Sequence, residues 1–395
     1  MQMVEEKQKV CCDYCKSEDL KMAYKAPTTS RNLEVFVCRS CGFIQSWPRL
    51  SGIYDRVTSV SGEADWGYIR YGKQLRLDAS MEIIESNINL NNIKSVLDIG
   101  ANRGFFLNNL SKKYPHLDLT GVEPDKIITK ESPFNSNIDL FVGKIEDYES
   151  NNKKFDFIHS SHTFEHMTSA DKGFKITYDL LSDSGYFYLE LPRTEMIDRE
   201  DYITEFFIDN HLFHFTRDSI KKYANNYNFD LIYEEKHDWE NHVFIFKKSK
   251  DPLNFNPEEI QNNYEKNYEL LTSYSKNRKQ NLADLNHAGS EINKMINSNE
   301  SIAIWGMGRI FDIFYHYADV NWDGINYCVD KYLPDYTSEV NGIKIRRPEE
   351  VLNNISIDTL IIFSDAYIED IENEAKKILS SVDKIVSYNN LMKRK

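Results

Sequence analysis

No stretch of this 395-residue chain is apolar for long enough to cross a bilayer, and none is basic for long enough to grip a phosphate backbone. Basic residues are also the minority: 48 Lys and Arg against 62 Asp and Glu leave a formal net charge of −14. That balance argues against a nucleic-acid phosphate backbone as the main partner, and the missing apolar run excludes a transmembrane helix. The opening MQMVEEKQKV lacks the basic start and apolar stretch of a secretory signal. Cysteine is almost absent beyond residue 41: five of the six precede position 42, and Cys328 is expected to be a small buried residue. This distribution excludes a disulfide framework and fits a reducing, cytoplasmic setting. What is there is length for two or three domains and an apolar fraction of 41%, ample for real cores.

The early cysteines form two Cys-x-x-Cys knuckles, Cys12–Cys15 and Cys38–Cys41, with Gly42 following the second. Two such turns close a tetrahedral site, so Zn2+ is expected on Cys12, Cys15, Cys38 and Cys41, with Cys11 able to replace Cys12. Four thiolates leave no open position, which makes the metal structural. Leu33 to Val37 alternates like one strand of a ribbon hairpin. Trp66, Tyr68 and Tyr71 then precede a helical stretch from Lys73 to Asn87. These aromatics either pack the ribbon onto the core or line the mouth of a pocket.

From Ser95 to Pro124 the chain reads as strand, glycine turn, helix, strand and acid. Val96, Leu97 and Ile99 make an apolar strand; Asp98, Gly100 and Gly104 shape the turn; the helix starts at Phe105. Glycines let a ligand lie against bare backbone, and Glu123 at the end of the next strand can accept hydrogen bonds from a ribose diol. The spacing Asp-x-Gly-x-x-x-Gly misses the dinucleotide fingerprint Gly-x-Gly-x-x-Gly. It resembles the cofactor motif of class I S-adenosylmethionine (SAM) methyltransferases. That resemblance makes Asp98, Gly100, Asn102, Gly104, Glu123, Pro124, Lys144, Ile145 and His162 the candidate SAM residues, with Ile145 packing on the adenine and Lys144 and Glu146 at its edge.

Strands are expected at 139–143, 155–159 and 185–192, and the alternation from 93 to 192 predicts a doubly wound sheet. Catalytic groups gather at the carboxyl ends of such strands. His162 and His166 lie four apart beside Glu165, sharing a face if a helix has begun there. As a metal motif this is weak; capping and packing are the stronger expectation. His211 sits in a very aromatic run, Phe206 to Phe215, where burial can tune an imidazole for proton abstraction.

Ribbon, SAM core, Glu165-His166 segment, Asn210-His211-Leu212-Phe213 segment and a final α/β stretch occur in that order. Together they resemble the three-domain sugar C-methyltransferases, over roughly residues 11 to 390. The resemblance implies an α/β protein: a zinc ribbon (1–50), a class I methyltransferase core with a doubly wound sheet (51–250) and a second, Rossmann-like α/β domain (251–395). It implies a nucleotide-linked keto-deoxysugar as small-molecule partner and carbon methylation through an enolate. By position His211 matches the base, His166 a substrate-site histidine and Tyr71 or Tyr68 an active-site tyrosine. The family's Glu before that base is Asn210 here, and the glycine pair expected after His237 is replaced by Asp238 and Trp239. Asn210 keeps O-methylation of a sugar or glycan hydroxyl open. A non-catalytic SAM or sugar-nucleotide binder and a zinc-ribbon RNA methyltransferase are the remaining rivals. A monomer or weak homo-oligomer is expected.

Tyr264, Tyr268, Leu271 and Tyr274 recur at helical spacing and are expected to pack. Gly306-Met307-Gly308 follows a strand, but Phe311 stands where a dinucleotide site needs its third glycine. The resemblance implies a domain that helps hold the sugar nucleotide without redox chemistry.

Overall fold

The computed structural model describes residues 10–26, 32–48, 72–131, 134–200, 202–208, 210–237, 240–250, 262–335, 337–364 and 367–392. Trp66, Tyr68, Tyr71, Asp238 and Trp239 lie outside the described residues. The chain divides into two compact units, one holding 75–199 and 205–275 with the N-terminal segment, the other 276–395 with 200–204.

In the first unit β1 (Leu20–Lys25), β2 (Glu34–Cys38) and β3 (Ile44–Trp47) form an antiparallel ribbon, and β9 (Phe213–His214) joins it beside β3. Helix α1 (Gly72–Asn87) leads to the main sheet. There β4 (Ser95–Ile99), β5 (Asp118–Glu123), β6 (Ile138–Val142), β7 (Phe155–Ser161) and β8 (Leu181–Pro192) run parallel. The later strands β10 (Phe229–Glu234) and β11 (Asn241–Lys248) extend it, β11 running antiparallel to both its neighbours. The order β6-β5-β4-β7-β8-β11-β10 reverses direction at β4, so the sheet is doubly wound. Both faces are covered. Val96 joins the core cluster holding Phe106, Leu107, Leu110 and Tyr188, while Leu97 and Ile99 join the one holding Phe174, Phe187 and Tyr223. Burial on both sides is why these strands read as continuous apolar runs.

Helices α2 (Phe105–Lys113), α3 (Lys126–Glu131), α4 (Ala170–Leu180) and α5 (Arg217–Asn226) complete the unit with the first turns of α6 (Tyr264–Asn297). The Ser169 hydroxyl caps α4 by accepting from the Lys172 N–H, and Thr216 and Ser219 form a reciprocal capping box on α5. Helix α4 begins only at Ala170; a short 3-10 turn spans Phe164–His166, so His162 and His166 do not share a helical face. Leu271 and Tyr274 are buried, and the Tyr274 ring meets Tyr24 and Phe207, which makes the aromatic stripe packing.

The second unit holds β12 (Ile302–Trp305), α7 (Arg309–Tyr317), β13 (Tyr327–Val329), the hairpin β14 (Glu339–Val340) and β15 (Ile343–Lys344), α8 (Pro348–Val351), β16 (Ser356–Ile362), α9 (Ile368–Ile378), β17 (Ser381–Ser387) and α10 (Tyr388–Leu391). Its parallel sheet runs β13-β12-β16-β17. Phe311 is fully buried against Trp322, so core packing occupies the place of a third glycine. Asp330 accepts the amides of Met307, Tyr332 and Leu333, which ties the acid at the end of β13 to the backbone around it.

No helix among the described residues is long and apolar enough to cross a membrane.

Candidate active site

The carboxyl ends of β4, β5, β7 and β8 bring the candidate groups to one edge of the sheet. At the end of β4 the chain turns through Gly100 (φ +82°), Asn102 (φ +48°) and Gly104 (φ +72°). The Gly100 and Ala101 amides donate to the Val122 carbonyl at 2.9 and 3.0 Å, pinning the turn to β5. A Cβ on Gly100 would stand 2.0 Å from Thr163 Oγ1, so no side chain fits there. Thr163 itself donates to the Ile99 carbonyl at 3.1 Å. The loop after β7 thus closes over the glycine turn.

Glu123 ends β5, buried, with the amides of Asn102 and Asp125 donating to its two oxygens at 2.7 and 2.9 Å. Burial pushes its carboxyl above the usual range, against the pull of those two amides. Each oxygen keeps a second lone pair, so it can still accept from a diol. Pro124 follows Glu123, Lys144 precedes the 3-10 turn Ile145–Asp147, and Ile145 is buried. The Gly143 amide donates to the Glu123 carbonyl at 3.1 Å, which holds this loop beside the acid.

Asp98 lies near the end of β4. It is buried beneath the turn, with Oδ1 2.7 Å from Nδ1 of His159 on β7. The His159 ring lies between Phe106 and Tyr188, stacked at 3.8 and 5.0 Å. Sequence reasoning missed His159, though a histidine ending the apolar run Phe-Asp-Phe-Ile was its signal.

Beyond β7, His162 stands in the left-handed region (φ +52°), a strained conformation for a histidine. Its Nδ1 is 3.4 Å from Glu165 Oε1, and its Nε2 is 3.8 Å from Glu190 Oε1. Burial lowers His162, but the two carboxylates outweigh it and leave it above its ordinary value. His162 therefore belongs to a histidine–carboxylate cluster. His166 Nδ1 donates to the Asn210 carbonyl at 2.8 Å, and its ring meets that of His211 at 4.8 Å. Burial and then the charge of His166 push His211 down to about 3, so it is a neutral imidazole at physiological pH.

Glu190 was also missed; a lone acid inside Tyr-Leu-Glu-Leu-Pro was the available signal. It accepts from Ser161 Oγ at 2.8 Å and Asn241 Nδ2 at 2.7 Å, and Arg76 Nε lies 3.9 Å away. Burial raises its carboxyl, but His162 and Arg76 bring it to about 2.

Away from this edge, Cys12, Cys15, Cys38 and Cys41 converge, their sulfurs all within 4.8 Å of one another, while Cys11 is exposed outside the cluster. The Cys12–Cys41 and Cys15–Cys38 sulfur separations are 3.6 and 3.5 Å. Sulfurs bound to one tetrahedral zinc stand about 3.8 Å apart, so the four residues present fit Zn2+.

Comparison with known proteins bears on this edge first. Residues 71–234 match the model of a family described as "Methyltransferase domain". They are a SAM-dependent methyltransferase domain. Residues 298–386, after that domain, match a family described as "C2185-like, N-terminal". A curated relative of the methyltransferase, the demethylspheroidene O-methyltransferase of Rhodobacter capsulatus, is 26% identical over 103 residues. That match spans 25% of this chain and 26% of the relative's own length. Among solved structures, the PH0226 protein of Pyrococcus horikoshii OT3 is 16% identical, covering 46% of this chain and 92% of that one at a TM-score of 0.39. A SAM-dependent methyltransferase of Clostridium acetobutylicum is 14% identical, covering 45% and 96% at a TM-score of 0.37.

Proposed function

We propose that the whole protein methylates a nucleotide-linked keto-deoxysugar at carbon, through an enolate. When bound, SAM supplies the methyl group as an electrophile. Asp98, Gly100, Asn102, Gly104, Glu123, Pro124, Lys144, Ile145 and His162 would hold it, Asp98 from below through its bond to His159. His211 would take the proton from the carbon next to the ketone, and His166 would orient the acceptor, with Asn210 fixing His166 through its carbonyl. Tyr71 keeps its proposed role from sequence alone. The observation that carries this reading is a neutral, half-buried His211 beside the glycine turn's edge of the sheet, packed on a second imidazole.

The four cysteines would bind a structural zinc. The proposal also keeps the division at 1–50, 51–250 and 251–395, with the last domain helping to hold the sugar nucleotide, a cytoplasmic setting and a monomer or weak homo-oligomer. Asn210 and the name of the Rhodobacter capsulatus relative favour O-methylation as the second reading. The test is a panel of nucleotide-linked sugars, 4-keto and fully hydroxylated, incubated with SAM and read by mass spectrometry. A methylated keto sugar with solvent deuterium at the adjacent carbon supports the enolate route. A product from hydroxylated sugars alone moves the reading to O-methylation.

A further inference from the structure

Glu165 has no role in the proposal above, yet its carboxylate is 1% exposed and, among the described residues, no hydrogen bond reaches either oxygen. A carboxylate so placed stays charged only beside a cation. Histidines surround it: His162 Nδ1 at 3.4 Å, His166 Nε2 at 3.7 Å, and a ring nitrogen of His211 within 4.8 Å.

The hydrogen bonds of His166 define its charge. A carbonyl oxygen only accepts, so the nitrogen 2.8 Å from the Asn210 carbonyl, Nδ1, carries a proton. The other nitrogen, Nε2, faces the Glu165 carboxylate. A lone pair there would oppose an anion, whereas a proton there makes an ion pair. Both nitrogens are then protonated. His211, ring against ring with His166 at 4.8 Å, cannot comfortably carry a second positive charge.

We infer that Glu165 is a positioning residue that holds His166 as a fixed cation beside an uncharged His211. The pair deepens the proposed function and rests on it for the substrate. Removing a proton next to a carbonyl puts negative charge on the carbonyl oxygen, away from the carbon that is methylated, and a fixed cation stabilises that oxygen. In O-methylation the charged oxygen is itself the nucleophile, and a cation on it would blunt the attack. The arrangement therefore points to a carbonyl acceptor.

The test uses the full chain carrying Glu165→Gln or Glu165→Asp. The Glu165 carbonyl accepts from the Leu212 amide at 2.7 Å, a bond that every side-chain variant keeps, and SAM affinity by calorimetry checks that the site survives. The first readout needs no acceptor. In histidine-labelled protein at neutral pH, assigned with His166→Ala, the His166 nitrogens should both show the imidazolium signature. Glu165→Gln should convert His166 to a neutral ring and Glu165→Asp should restore the cation. A neutral His166 in the wild type, a metal ion on Nε2 in place of the proton, or a cation indifferent to Glu165→Gln would each overturn the inference. The second readout is turnover of the keto sugar, expected to fall about tenfold or more in Glu165→Gln with KM little changed, and to recover in part in Glu165→Asp. If no keto sugar is methylated while the charge of His166 still follows Glu165, the charge assignment stands and the substrate reading alone falls.

Discussion

Gly100 and His211 carry the two sharpest demands of the site. At Gly100 the backbone takes φ +82° and a Cβ would meet Thr163 Oγ1 at 2.0 Å, so Gly100→Ala combines left-handed strain with a clash. The expected cost is about 1–3 kcal/mol of stability, with SAM binding weakened at least tenfold because the turn and the loop over it must part. Calorimetry with SAM and a urea melt check both numbers, and unchanged SAM affinity would remove this turn from the cofactor site. His211 is tested by asparagine, which keeps a polar side chain and cannot act as a base. His211→Asn should lower turnover by about 10²-fold with SAM affinity unchanged, and a rate within a few fold of wild type would take His211 out of the chemistry.

The ribbon and the methyltransferase sheet are joined element by element. Strand β9, from the segment carrying His211, pairs with β3, and Ser46 Oγ lies 2.6 Å from His214 Nε2. Helix α5 sends Lys222 Nζ to the Cys41 carbonyl at 2.6 Å, and Asp13 accepts from the Tyr223 hydroxyl and the Asp171 amide. The cysteine cluster thus fixes a platform on which the segment carrying His211 rests. Removing zinc with a strong chelator, or substituting Cys38→Ser, should lower the melting temperature and reduce methyl transfer together, with zinc re-addition restoring both in the chelated protein. Full activity in metal-free protein would reduce the ribbon to an appendage. Much of this was legible in the sequence. Cys-x-x-Cys spacing, the turn at Asp98 and the strand ending at Glu123 are local patterns, and local patterns survive translation into structure. What was not legible depends on strands far apart in sequence. His159 gains its meaning from Asp98 across β4 and β7, and Glu190 from Asn241 across β8 and β11. The helical face that His162 and His166 would have shared is absent because α4 begins only at Ala170, and Thr163 in the loop before it packs over Gly100.

Across the whole molecule two effects of acid oppose one another. Lowering the pH brings the −14 chain towards its isoelectric point near 5.3, which relaxes self-repulsion. That repulsion is spread over the surface and screened beyond about 8 Å at physiological salt, whereas buried imidazoles are not screened. Burial holds His211 down to about 3 and His214 well below its ordinary 6.5. In the unfolded chain both take up a proton near 6.5. Below that value the unfolded state binds more protons, so this stabilisation is complete above 6.5 and is lost as the pH falls towards 3. His162, raised by Glu165 and Glu190 against its burial, works the other way, its contribution present below 6.5 and lost as the pH rises. Glu123, raised by burial, also loses stability on going up in pH, starting from about 4.5. The two depressed imidazoles are shifted furthest, which leaves a net loss on acidification. The urea midpoint should therefore be lower at pH 5.5 than at pH 7.5, at constant ionic strength. His214→Gln, which keeps a polar group facing Ser46, should shrink that difference. Parallel pH slopes in wild type and His214→Gln would show that surface charge, and not the buried histidines, sets the acid stability of the fold.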